Sequence, residues 1–182
     1  MASLVLGAGI VGSAAAWDLR RRGHDVTVAD VDRETTERVA TAFGATAVTI
    51  DVAKGRDLME LIGFHDVVVS AIPYSYGYAV ASAALASGTH YLDFGGNPSV
   101  VASQKRMHQD ALDNSVMIVP DCGLAPGLAN VLAEDLIDDA GPGIIDSIQM
   151  RVGALPQTPI GALEYQLAFN PAGLINEYSE PC

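Results

Sequence analysis

Short apolar runs alternate with amphipathic stretches of helical length along most of the chain. Leu4-Val5-Leu6 reads as a buried strand, and Ile10 through Ala14, Ala15, Ala16, Trp17 and Leu19 as a helix. Asp25 to Asp30 is a second strand, and Glu34 to Phe43 a helix stopped by Gly44. Ala47 to Ile50 is a third strand, followed by a short helix, Asp57 to Ile62, ending at Gly63. Asp66 to Ile72 is an almost continuous apolar run, the pattern of a parallel strand covered on both faces, and Pro73 stops it. Tyr78 to Ser87 reads as a helix with Gly88 as its stop, and His90 to Phe94 as a fifth strand ending at Gly95-Gly96. A helix over Val100 to Leu112 precedes a sixth strand, Val116 to Val119. The loop from Pro120 to Gly127 leads into a helix from Leu128 to Asp138.

Strands and helices that alternate with short connections imply right-handed crossovers and an α/β, doubly wound parallel sheet. The pattern changes after Gly141-Pro142-Gly143. Ile144 to Leu155 is long and strand-like, and Pro156, Pro159 and Pro171 interrupt the C-terminal stretch. The sequence therefore predicts a first domain over residues 1–141. Residues 142–182, too short for a core of their own, form the start of a second, incomplete α+β domain.

The first turn carries the most specific signal. Gly7, Gly9 and Gly12 lie between the first strand and the first helix, and Asp30 closes the second strand. A G-x-G-x-x-G alone is weak, but at a strand-to-helix turn with an acid ending the next strand it predicts dinucleotide binding. Gly7 permits the turn, Gly9 lets the backbone approach a pyrophosphate, and Gly12 lets helix and strand pack closely. Ile10 and Val11 open the helix, whose free N–H groups and positive dipole end suit phosphate. Asp30 is the acceptor for the ribose 2′-hydroxyl of NAD. A 2′-phosphate would meet its charge, so NAD is favoured over NADP; Asp32 adds to that preference and Arg33 opposes it.

Composition narrows the class. The 182 residues are 49% hydrophobic and 6% aromatic, with a net charge of −12, which disfavours nucleic-acid and anionic-membrane partners. Arg20-Arg21-Arg22 is a basic cluster placed at a helix C-terminus. Lysine is restricted to Lys54 and Lys105; an acidic, lysine-poor surface suits a salt-rich cytoplasm, and a GC-rich genome would give the same deficit. No apolar run is long enough to span a bilayer, and no signal peptide is evident, so a cytoplasmic protein is expected. Cys122 and Cys182 give no disulfide framework, and the spacing of His24, His65, His90 and His108 gives no zinc site, so no metal is expected.

Ligands of open α/β sheets bind beyond the carboxyl ends of the strands, where Ser70, Tyr74, Tyr76, Asp93, Asn97 and Asp121 fall. Asp51 follows the third strand, as an adenine contact or as the N-cap of the next helix. Ala71-Ile72-Pro73 follows the fourth strand, which passes close to the dinucleotide and places Tyr74 and Tyr76 toward the nicotinamide. His90 lies three residues before Asp93 and so faces the other side of its strand.

Leu4 to Gly12, Tyr91 to Gly96 and the loop Pro120 to Asn130 resemble the saccharopine dehydrogenase-like reductases. Arg151 to Pro156 and Phe169 to Tyr178 look like the start of that family's substrate domain. Within the family the lysine 6-dehydrogenases are the nearest likeness. The resemblance implies a Rossmann-type nucleotide domain and hydride transfer between NAD and the amine-bearing carbon of lysine or a related amino acid. Saccharopine cleavage and carboxynorspermidine-type reduction are neighbouring activities, and an NAD-binding module without turnover is the alternative from another class. Such enzymes need a group that takes a proton from the amine or holds its cation. Asp121 is the candidate, with Tyr74 as a substrate or cofactor contact and Arg151 as a fork for a substrate carboxylate. The relatives are considerably longer, so this chain is expected to be a fragment or a short gene product. The uncovered strand Ile144 to Leu155 is expected to favour a homo-oligomer.

Overall fold

In the computed structural model, residues 1–141, 143–153, 156–162, 164, 171, 175 and 179 are described. The segment Phe169 to Tyr178 falls largely outside them, as do Ala154, Leu155 and Cys182. The strands are β1 (Ala2–Leu6), β2 (Asp25–Asp30), β3 (Thr46–Thr49), β4 (Val67–Ser70), β5 (His90–Asp93) and β6 (Ile118–Val119). They form one parallel sheet in the order β3-β2-β1-β4-β5-β6. The helices are α1 (Ile10–Arg21), α2 (Arg33–Phe43), α3 (Gly55–Gly63), α4 (Gly77–Ala86), α5 (Pro98–Lys105), α6 (His108–Asp113) and α7 (Leu128–Ala140). This is the doubly wound, Rossmann-type order, which reverses between β1 and β4 and leaves a crevice at their carboxyl ends.

Alternation along β1 builds a core on both faces. Leu4 and Leu6 pack with Val68, Tyr91, Leu58 and Ile62 of α3, and Val80, Ala81 and Ala84 of α4. Val5 faces the other way, against Val28, Val69, Ala16 of α1 and Val39 of α2. Each such side chain contributes roughly 1.5–3 kcal/mol on burial, so β1 is the best-anchored element. It holds the loop after it at the centre of the sheet.

Caps set the helix limits. The Asp32 carboxylate accepts from the N–H groups of Glu34 (3.1 Å) and Thr35 (3.4 Å), starting α2, and Gly44 ends it at φ 68°. The Asn97 side chain accepts from Ser99 and Val100 N–H, and Pro98 takes the first helical position of α5.

Three expectations change. The helix over Val100 to Leu112 is two helices, because the chain tightens at Arg106-Met107 (Met107 N–H to Gln104 O, 3.0 Å) to bury Met107. The sixth strand shortens to Ile118–Val119, preceded by Ser115 at φ 56°. The described part of Ile144 to Leu155, residues 144–153, is not a strand: an extended segment needs a neighbour to satisfy its backbone groups, and no described strand pairs with it.

The chain divides into two compact units, Met1–Asp121 and Cys122–Cys182. The first holds the whole sheet. The second holds α7 and residue 141, near which the sequence places its domain boundary. Among the described residues, no helix is long and apolar enough to cross a membrane.

Candidate functional site

The glycine loop leaves β1 at Leu6, and the three glycines turn out to serve different ends. Gly7 adopts φ +98°, and a Cβ there would come within 2.6 Å of the Ala71 carbonyl oxygen. A Cβ on Gly12 would overlap the Gly7 carbonyl oxygen and lie 3.3 Å from Ala71 Cβ. These two are required by the packing of α1 on β1 and β4. Gly9 is not. Its φ is −71°, and a Cβ on it would meet nothing within 4 Å. The space beside Gly9 is open, as a backbone approached by a pyrophosphate requires.

Gly9 is also the N-cap of α1, with no side-chain hydrogen bond capping the helix. The first helical N–H groups, beginning with Ile10 and Val11, have no partner within the helix. Ile10 is 80% exposed, so this end of the helix opens outward. Open space, unspent donors and the positive end of a twelve-residue helix fit a dinucleotide pyrophosphate.

Asp30, at the end of β2, stands beside this loop. Its Oδ2 accepts from Ala8 N–H at 2.7 Å and its Oδ1 from Asp32 N–H at 3.0 Å. Asp32 itself is occupied as the cap of α2, and its carboxyl is held below the usual range, first by the Thr35 hydroxyl (2.7 Å). Arg33 donates to Glu37 at 2.7 Å in an exposed pair. Asp51 lies beyond β3 and accepts from Ala53 N–H at 3.0 Å; it turns the loop, and the N-cap of α3 is Lys54.

The carboxyl end of β4 packs directly on the glycine loop. Ala71 N–H donates to Leu6 O at 2.7 Å, and the Ile72 side chain lies 3.3 Å from the Cβ position of Gly7. Pro73 then starts a 3₁₀ turn, Tyr74–Tyr76. Tyr74 packs over Gly96, 3.5 Å from its Cβ position, while Tyr76 is half-exposed.

Asp93 and Asp121 do meet, but in unequal roles. Asp93 is buried and accepts four hydrogen bonds: Tyr91 hydroxyl (2.8 Å) and Gln104 Nε2 (2.6 Å) on Oδ2, Gly95 N–H (2.8 Å) and Asp121 N–H (3.1 Å) on Oδ1. Burial, then the Asp93 charge, holds the Tyr91 hydroxyl protonated far above the usual phenol range. Asp121 sits at φ 63° against Gly95. Burial first, then the nearby Asp93, raises its carboxyl above the usual range, with Lys105 pulling the other way. The sequence does not mark Tyr91 and Gln104 as partners, since a strand tyrosine and a helix glutamine carry no spacing signal. His90 has a structural task, its Nδ1 accepting from Met117 N–H at 3.1 Å.

In the second unit, Cys122 is not in a disulfide, and the Arg151 guanidinium donates to Gln149 at 2.8 Å.

Comparison with known proteins agrees with this geometry. Residues 3–119 match the family described as the saccharopine dehydrogenase NADP binding domain. Mitochondrial alpha-aminoadipic semialdehyde synthase of Bos taurus is 26% identical over 184 residues, which cover 98% of this chain and 20% of that protein. The NADP(+), L-glutamate-forming saccharopine dehydrogenase of Pyricularia oryzae is 25% identical over 177 residues, 94% of this chain and 39% of that protein. The apo saccharopine dehydrogenase (L-Glu forming) of Saccharomyces cerevisiae superposes with a TM-score of 0.68 at 24% identity, over 76% of this chain and 31% of that one. The chain thus spans a fifth to two fifths of the length of these relatives. With the sheet order, the glycine loop and the match over residues 3–119 in agreement, the chain belongs to the saccharopine dehydrogenase NADP-binding-domain family, a family of pyridine-nucleotide-binding oxidoreductase domains.

Proposed function

We propose that this chain binds NAD in preference to NADP and serves hydride transfer from the amine-bearing carbon of lysine or a lysine-derived amino acid such as saccharopine. The observation that carries the dinucleotide part is Gly9, the one glycine of the motif that no protein contact requires. The preference for NAD rests on Asp30, a carboxylate held in place at the end of β2, and on Arg33 being paired with Glu37. The substrate class rests on family membership and on the relatives, which are named for saccharopine and for alpha-aminoadipic semialdehyde.

When bound, the nicotinamide supplies the hydride acceptor. This chain's residues bind and orient around it: the start of α1 holds the pyrophosphate, Asp30 the adenosine ribose, and Ile72 and Tyr74 border the crevice toward the ring. Loss of hydride from a carbon bearing nitrogen leaves a C=N bond once the nitrogen proton departs. Water then adds to that carbon, and the C–N bond breaks to give an aldehyde and an amine. Asp121 is the group for the proton. Burial, then the nearby Asp93, raises its carboxyl above the usual range, which makes it a stronger base for that proton. Arg151 is the proposed fork for a substrate carboxylate.

Thermal melting in NAD and in NADP tests the first part. Ligand at 100 times its dissociation constant stabilises by about 2.7 kcal/mol, so the nucleotide that binds more tightly gives the larger rise at equal concentration. A larger rise with NADP assigns the 2′-phosphate to Arg33 and overturns the NAD preference. No rise with either overturns the dinucleotide reading. NADH absorbance with lysine and with saccharopine tests the second part; binding without turnover on either would leave the chain a dinucleotide-binding module.

A further inference from the structure

Asp30 has a task besides the ribose. Ala8 lies between Gly7 and Gly9 and is 2% exposed, so its N–H is shut off from solvent and needs a partner inside the protein. The partner is a side chain from another strand: Asp30 Oδ2 at 2.7 Å, 22 residues away. The other oxygen, Oδ1, holds the N–H of Asp32 at 3.0 Å in the turn after β2. One carboxylate therefore ties the loop after β1 to the turn after β2. The preceding N–H, of Gly7, goes to Ala29 O at 2.8 Å, so two successive loop donors are spent on β2 and its end. The donors left for an anion are those beyond Gly9, at the start of α1. Each Asp30 oxygen keeps a lone pair, enough for a ribose hydroxyl.

We propose that Asp30 is the positioning residue that shapes the pyrophosphate loop, acting through the Ala8 N–H, in addition to receiving the ribose. The inference rests on the dinucleotide reading above. It separates two consequences of losing Asp30 that a ribose ligand alone would not combine. Without the carboxylate, the buried Ala8 N–H has to find another acceptor, and the cheapest route is a turn of the Gly7-Ala8-Gly9 backbone. That turn moves Gly9 and the start of α1, so phosphate binding falls along with ribose binding. Asparagine is only a partial substitute: if its Oδ1 accepts from Ala8, its Nδ2 faces the Asp32 N–H, donor against donor. Replacing Asp30 to admit a 2′-phosphate therefore damages the loop that both dinucleotides need.

The test crosses the substitution with the ligand. The full chain, as wild type, Asp30→Ala and Asp30→Asn, is titrated calorimetrically with NAD and with an NAD analogue lacking the 2′-hydroxyl of the adenosine ribose. A residue that only receives the ribose loses affinity for NAD and none for the analogue. A loop clamp loses about tenfold or more for both, the scale of one hydrogen bond to a charged group. Wild-type affinity of Asp30→Ala for the analogue overturns the proposal. Amide exchange at Ala8 without ligand gives a second readout: slow in the wild type and faster in Asp30→Ser, whose hydroxyl sits one bond short of the carboxylate oxygens, if Asp30→Ala does not fold. Equal exchange in the two also overturns it. Failure of the wild type to bind either ligand would sink the dinucleotide reading, while the exchange at Ala8 would still decide the clamp.

Discussion

Replacing Gly9 with alanine separates ligand binding from folding, because the two respond to different features of the same residue. On the folding side the added methyl enters open space, with no atom within 4 Å, and φ −71° suits any residue. Alanine restricts the unfolded chain and so stabilises by about 0.4–1 kcal/mol. Gly9 is also the N-cap of α1, where alanine is the poorer residue by a similar amount. The two nearly cancel, leaving a net change within about 0.5 kcal/mol and a melting shift of about 1–2 °C for a chain this size. On the binding side the methyl occupies the space proposed for pyrophosphate. Losing one backbone hydrogen bond to a charged phosphate costs about 1.5–3 kcal/mol, or roughly 10- to 150-fold in affinity. Gly12→Ala is the control of opposite sense. Its Cβ would overlap the Gly7 carbonyl oxygen, and forcing atoms into a packed site costs about 1–3 kcal/mol, a fall of about 2–12 °C. Circular dichroism melting and calorimetric titration with NAD read both quantities. Unchanged NAD affinity in Gly9→Ala would refute the reasoning, and so would a melting temperature depressed as far as that of Gly12→Ala.

Asp93→Ala leaves the Tyr91 hydroxyl without its acceptor in a buried site, and Gln104 Nε2 with only the Tyr91 hydroxyl at 3.3 Å, an expected loss of about 2–6 kcal/mol in urea unfolding; a change within about 0.5 kcal/mol, the usual range for a surface position, would contradict the network. Asp121 carries a pH signature. Its carboxyl is raised in the folded protein, so the folded state holds the proton more tightly, and the stability it contributes is complete at acid pH and lost as pH rises through the folded value. Asp121→Asn removes that loss, so urea midpoints from about pH 3 to 7 should show the variant gaining on the wild type as pH rises; a constant difference between them would contradict the raised carboxyl.

Much of the sheet was legible because its strands are buried on both faces and therefore read as plain apolar runs. Val67-Val68-Val69 needs no periodicity to be recognised. The first helix and the stop at Gly44 follow from local chemistry, and local chemistry is what a sequence displays. The break between α5 and α6 was not legible. It depends on Met107 reaching the core, a tertiary event inside a stretch with uniform helical propensity. The strand expected from Ile144 failed for a related reason: extended residues become a strand only through a partner, and the partner is not written in the segment itself. At the site, the glycines and Asp30 were recognisable as a set, since their spacing is tied to the fold. The Ala8 to Asp30 hydrogen bond was not, because the pattern gives the acid a ligand and says nothing of the backbone beside it.

The two carboxylates at the ends of β5 and β6 show how the structure divides what the sequence left as a pair. Asp93 receives four donors and is buried, so its oxygens are fully engaged in holding Tyr91, Gln104 and the backbone of Gly95 and Asp121. Asp121 is only partly buried; burial, then the Asp93 charge, raises its carboxyl, and Lys105 pulls the other way. Its backbone N–H is tied to Asp93, which fixes it at φ 63°, and the same neighbour raises its carboxyl by repulsion. One acid thus positions the other and adjusts its proton affinity. Where two titratable groups are pushed into different environments, the more accessible one with the raised pKa is the one suited to exchange a proton. This assigns Asp93 to architecture and leaves Asp121 as the proton-handling candidate.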